Sequence, residues 1–109
     1  MISATFIFKQ KANDEKFRKL DEAIETSVSQ DPEFLGKDVW ENQENGRSAV
    51  VYYFSSHKGL EALRKFSSHK EAKSEYRNWY EGYHVIIAEV TASYGDGWLN
   101  HPTKNIRNS

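Results

Sequence analysis

Apolar and polar positions along this chain fall into blocks of contrasting period. From Ile2 to Lys9, Ile2, Ala4, Phe6 and Phe8 alternate with Ser3, Thr5 and Lys9, and Ile7 makes the second face partly apolar; this is the period of a strand. Between Asp14 and Ser29 the spacing lengthens, with Phe17, Leu20, Ile24 and Val28 on one helical stripe. Asn13 is placed to cap this helix, and Asp14 and Glu15 suit the positive end of its dipole. Asp31-Pro32 ends it, because the residue before proline is pushed out of the α region. Alternation returns over Phe34 to Asn42, with Phe34, Gly36, Asp38 and Trp40 on one side and Leu35, Lys37 and Val39 on the other. Glu44-Asn45-Gly46 supplies a hairpin turn, and Arg47 to Ser55 follows as a strand whose Ala-Val-Val-Tyr-Tyr-Phe run leaves no polar face.

Helical spacing reappears in Leu60, Leu63 and Phe66, a short helix over Ser56 to Phe66. Ser68 and Glu71 form a capping-box pattern, so a further helix is expected from about His69. On it His69, Ala72, Tyr76, Trp79 and Tyr80 share one stripe, and Gly82 stops it. Tyr83 to Ala92 then reads as the last strand, with Val85 and Ile87 on one face and Ile86, Ala88 and Val90 on the other. The expected organisation is a single domain over residues 1–95 and a C-terminal tail over 96–109, in which Trp98 and Leu99 tuck against the body or a neighbouring subunit.

The order strand, helix, strand, strand, helix, strand is a split βαβ arrangement. It predicts an α+β, ferredoxin-like fold with a four-stranded antiparallel sheet and its helices on one face. Three of those strands are apolar on both sides, and leaving such a face in water costs roughly 25 cal/mol per Å². A second copy of the sheet is the expected cover, giving a homodimer with a barrel-like core; the alternative is a monomer partly roofed by its own tail.

Composition narrows the function. With 15 basic and 16 acidic residues and a net charge of −1, the chain offers no electrostatic footprint for nucleic acid or an anionic membrane. The absence of cysteine excludes thiolate metal sites and a Cys nucleophile, and suits a cytoplasmic location. No His pair has metal-ligand spacing beside a carboxylate, Glu71 with Glu75 reads as a solvated helix edge, and Gly95-Asp96-Gly97 lacks the pattern of a phosphate loop. Lys58, Arg64, Lys65, Lys70, Lys73 and Arg77 are diluted by Glu61, Glu71 and Glu75 and read as a solvated face. Aromatic residues make up 14% of the chain, enough for a small core and also for the walls of an apolar ligand pocket.

Several blocks carry a resemblance. Phe34-Leu-Gly, Trp40 before an Asn-Gly hairpin, Val-Val-Tyr-Tyr-Phe, and above all Trp79-Tyr-Glu-Gly-Tyr-His-Val-Ile-Ile-Ala-Glu-Val resemble the antibiotic biosynthesis monooxygenase-like family of dimeric α/β barrels over roughly residues 2 to 95. The resemblance implies a homodimer with a cavity between helices and sheet in each subunit. It also implies one of several activities, among them cofactor-independent oxygenation of polycyclic phenols and haem degradation. The haem-degrading pattern does not carry over, because its Trp and His positions hold Leu63 and Lys73 here and the first strand has no Asn. Haem is therefore a disfavoured alternative cofactor, and no cofactor or metal is expected.

Cofactor-free oxygenation needs an apolar pocket, a base to ionise the substrate, and donors to hold the resulting anion. His69, Tyr76 and Trp79 are the candidate catalytic residues, and Trp40, Tyr53, Tyr80 and His84 the candidate pocket residues, with His84 a second candidate base. A small aromatic or otherwise apolar ligand is the expected partner, bound either for oxygenation or by a non-catalytic or stress-related module of the same fold.

Overall fold

The computed structural model describes residues 1–103, with Ser68 described by its backbone alone. Seven main elements follow in order: β1 (Ile2–Gln10), α1 (Glu15–Gln30), β2 (Phe34–Asn42), β3 (Arg47–Phe54), α2 (His57–Lys65), α3 (Ser67–Ser74) and β4 (Tyr80–Glu89), with a single 3₁₀ turn over Tyr76–Asn78 before β4. The strands form one antiparallel sheet in the order β2-β3-β1-β4, so β1 and β3 are central and β2 and β4 are edges. This is the expected ferredoxin-like α+β fold.

Cross-strand register sorts the side chains. Ile2, Ala4, Phe6 and Phe8 of β1 lie opposite Phe54, Tyr52, Val50 and Ser48 of β3 on one side, and opposite Glu89, Ile87, Val85 and Tyr83 of β4 on the other. Ile2, Ala4 and Phe54 are buried with Val28 of α1 and Leu60 of α2, so this set is the helix-covered face. Ile24, Phe34, Tyr52 and Leu63 extend the cluster, and the burial of such side chains is the main force holding the layers together. A second focus is aromatic: Phe6 stacks on Phe8, and Tyr80 packs against both and against Phe17 of α1.

Several local expectations are revised. The cap of α1 is Asp14, whose carboxylate accepts the Phe17 N–H at 2.8 Å, because Asn13 lies one residue too early. The second helical region breaks at Phe66, which caps α3 without a side-chain bond; the Ser68 hydroxyl of the expected capping box lies outside the described residues. This helix ends at Ser74, so Trp79 sits in the turn beyond it and Tyr80 opens β4 by pairing with Gln10. Gly82 is a strand residue opposite Lys9, and β4 ends at Glu89. In β2 the register shifts between Phe34 and Gly36, which pair with the adjacent residues Phe54 and Tyr53. That bulge sends Phe34 to the helix side while Gly36, Asp38 and Trp40 lie on the outer face, an outcome that strict alternation cannot give.

After β4 the Val90 N–H bonds to the Met1 carbonyl at 3.0 Å, and the chain turns across the outer face. Pro102 rests on Gly36, where an added Cβ would lie 2.2 Å from the proline ring. Gly36 also has a φ of +148°, which L side chains rarely adopt. Beside this seat the His101 ring meets Asp38 Oδ2 through Nε2 at 2.7 Å and Thr103 Oγ1 through Nδ1 at 2.9 Å. The tail thus covers one end of the outer face of β2 and β3 through His101 and Pro102, while Trp98 and Leu99, expected to tuck against the body or a neighbouring subunit, stand 92% and 83% exposed. Among the described residues no helix is long and apolar enough to cross a membrane.

Candidate ligand site on the helix side of β4

The helix layer does not close over the whole sheet. Tyr83, Val85 and Ile87 point to the helix side, opposite Phe8, Phe6 and Ala4, yet remain 40%, 48% and 38% exposed. They form a strip of exposed apolar surface along the β4 edge. On α3, His69 and Ala72 are half-buried while Lys70, Glu71, Lys73 and Ser74 are exposed. Tyr76, in the 3₁₀ turn, packs edge-on against Tyr83 at 4.9 Å. Burial, and secondarily the Lys73 charge, holds the His69 imidazole below its ordinary pKa. Both effects favour the neutral imidazole.

The other candidates separate. Trp79 is 1% exposed; its indole N–H donates to Asp14 Oδ1 at 3.1 Å, and its carbonyl accepts the N–H groups of Lys11 and Ala12. It is a packing element between the turn and the start of α1, with its only ring nitrogen already bonded. Tyr80 is in the aromatic focus, where burial and the nearby Asp21 charge push its hydroxyl up to about 12. Trp40, Tyr53 and His84 belong to the outer face. Tyr53 donates to Asp38 at 2.9 Å and meets the His101 ring edge-on at 5.2 Å, so it serves the tail contact. Of the seven candidates, Tyr76 touches the exposed β4 strip through Tyr83, His69 lies on the half-buried side of α3, and Trp79 and Tyr80 pack into the core.

Sequence reasoning missed a second polar centre on the helix side. Tyr52 donates to Glu25 Oε1 at 2.5 Å, and Glu25 Oε2 accepts from Lys37 Nζ at 2.6 Å, joining β3, α1 and β2. Burial first, then the Glu25 bond and charge, drive the Tyr52 hydroxyl far above its usual range. Asp21, one turn before Glu25, has its carboxyl raised by burial and by the Glu25 charge. The available signal was the pair Asp21 and Glu25 on the flank of α1, together with the choice between Tyr52 and Tyr53, which only the register makes. Two shallow surface grooves of ≈ 490 and ≈ 320 Å³ lie on the helix layer, along α1 beside Phe66 and beside Glu71; none of the seven candidates lines either. No cluster of metal-ligating side chains occurs among the described residues.

No protein-family model matches the sequence, and neither does any curated protein. Solved structures do match in shape. Rv0793 from Mycobacterium tuberculosis superposes with a TM-score of 0.69 at 12% identity, covering 86% of this chain and 98% of that one. SnoaB, a cofactor-independent oxygenase from Streptomyces nogalater, gives a TM-score of 0.65 at 6% identity over 84% of this chain and 94% of its own. A proposed antibiotic biosynthesis monooxygenase from Nitrosomonas europaea gives 0.63 at 13% identity, covering 83% and 98%. At such identities the likeness speaks for the fold: this chain has the ferredoxin-like α+β fold of the antibiotic biosynthesis monooxygenase-like proteins.

Proposed function

We propose that the protein binds a small aromatic or otherwise apolar, ionisable molecule on the exposed strip of β4 and oxygenates it without a cofactor, as a homodimer. The observation that carries this reading is the exposed strip itself: three apolar or aromatic side chains of β4 on the helix side of the sheet and left uncovered. An exposed apolar strip and a neutral base suit a phenol or a carbon acid. In the reaction His69 takes the acidic proton, the electron-rich carbon of the anion reacts with oxygen, and a CH₂ group becomes C=O. One oxygen atom enters the product, and the other leaves as water with the two hydrogens. The substrate is the reductant, so no further co-reactant is needed. The Tyr76 hydroxyl is the nearest candidate to hold the developing oxyanion. The homodimer is supported by the outer face, where Trp40 and Ile86 remain 62% and 46% exposed.

Oxygen uptake with a panel of polycyclic phenols and anthrones tests the reading. The expected result is uptake with the wild type that falls about 10²-fold or more in His69→Ala, in line with loss of a general base. Binding by thermal shift with no oxygen consumption for any bound compound selects a non-catalytic ligand-binding module instead. That second reading is favoured by Trp79 and Tyr53, whose polar atoms are already engaged within the fold.

A further inference from the structure

The outer face is asymmetric along the strands. Register places Gly36, Tyr53, Ser3 and Ala88 in one row across the sheet, Asp38, Val51, Thr5 and Ile86 in the next, and Trp40, Ala49, Ile7 and His84 in a third. The C-terminal segment leaves β4 and reaches β2, so it spans the end marked by the first row, with Pro102 on Gly36 and His101 on Asp38 and Tyr53. The third row is bare, and Trp40 there is 62% exposed. The segment is also a closed loop: Ser93 Oγ and Thr103 Oγ1 lie 2.5 Å apart, and Thr103 is 8% exposed. Its tip is preformed, because the Asp96 carboxylate accepts the Trp98 N–H at 3.0 Å and Gly97 turns with a φ of +90°. On that tip Trp98 and Leu99 are 92% and 83% exposed.

We propose that each subunit of the dimer seats its Trp98–Leu99 tip on the bare third row of its partner's sheet, beside Trp40, Ala49 and Ile7. Area supplies the first argument. A face of four strands about 4.8 Å apart and eight residues at about 3.3 Å each measures roughly 500 Å², and part of it lies beneath the tail. A stable interface takes about 800 Å² from each partner. With part of it beneath the tail, that footprint leaves the sheet face modest for such an interface, and the exposed tip is the further apolar surface the C-terminal segment offers. Symmetry supplies the second argument. Two faces related by a two-fold axis along the strands would stack tail end on tail end, whereas an axis across the strands brings each tail end over the partner's bare end. The second arrangement satisfies both exposed patches reciprocally and closes.

This inference rests on the homodimer of the proposed function, and two measurements separate their fates. Sedimentation of the wild type at about 50 μM reports the dimer itself; the expected mass is two chains, and a mass of one chain removes both readings. The absence of native cysteine then permits a clean cross-link. Trp98→Cys and Ala49→Cys combined in one chain are expected to oxidise to a covalent pair on a non-reducing gel, a product absent from either single variant. An internally bridged single chain, or free thiols in a particle of two-chain mass, overturns the tip-to-partner contact while leaving the dimer standing.

Discussion

Asp14 Oδ1 accepts both the Phe17 N–H at 2.8 Å and the Trp79 indole N–H at 3.1 Å, so one oxygen fastens the start of α1 to the turn before β4. Trp79 fills its surroundings at 1% exposure, and its replacement by alanine is expected to cost about 3–5 kcal/mol. Trp79→Phe, which loses the donor and part of the ring's bulk, is expected to cost less, about 1–3 kcal/mol in urea unfolding. The Phe17 N–H first and the indole second hold the Asp14 carboxyl below its ordinary value. A depressed carboxyl contributes stability that is complete above the ordinary range and lost as pH falls through the lowered value. The stability gap between wild type and Asp14→Asn is therefore expected to be constant above about pH 5 and to shrink on acidification, as urea midpoints at several pH values would show. Periodicity marked Trp79 as important yet placed it on a helix that ends five residues earlier. It could not separate Tyr52 from Tyr53, adjacent identical residues on opposite faces with unrelated partners, because that assignment depends on pairing with β1.

Among the elements, those set by local pattern were legible and those set by pairing were not. The bounds of β2 and the Asn-Gly hairpin follow from alternation and turn chemistry alone. The ends of α3 and β4 do not: Tyr80 and Gly82 are drawn into the ladder with β1, and sheet pairing overrides the helical spacing that reaches Tyr80. Two glycines inside elements, one in α2 and one in β4, should respond oppositely to alanine. Gly59 of α2 lies against Phe54, whose ring an added Cβ would approach to 2.4 Å, so Gly59→Ala is expected to destabilise by about 1–3 kcal/mol. Gly82 has nothing within 4 Å of the same position, and Gly82→Ala is expected to be neutral or stabilising by up to about 1 kcal/mol in thermal unfolding. The bulge in β2 left no local mark either, although it decides that Gly36 and Asp38 meet the tail.

At the scale of the whole molecule, the layer order and strand order were readable because the arrangement of elements admits few topologies. The exposure of Tyr83, Val85 and Ile87 on the helix side was not, since it depends on how far the helix layer reaches across the sheet. If the bare outer face is closed by a second copy, Tm should rise with protein concentration between about 1 and 100 μM; a Tm independent of concentration would speak against it. The link between Ser93 and Thr103 carries one more implication. Because the stems of this loop are fastened to the body, its crown can change length and sequence at little expense to the subunit's own fold, each doubling of loop length costing only about 0.6 kcal/mol, although such a change gives up the contact proposed for Trp98 and Leu99. Related chains could therefore diversify in what they recognise by exchanging seven or so residues at the crown, and a foreign epitope grafted between Tyr94 and Asn100 should be displayed without unfolding its host.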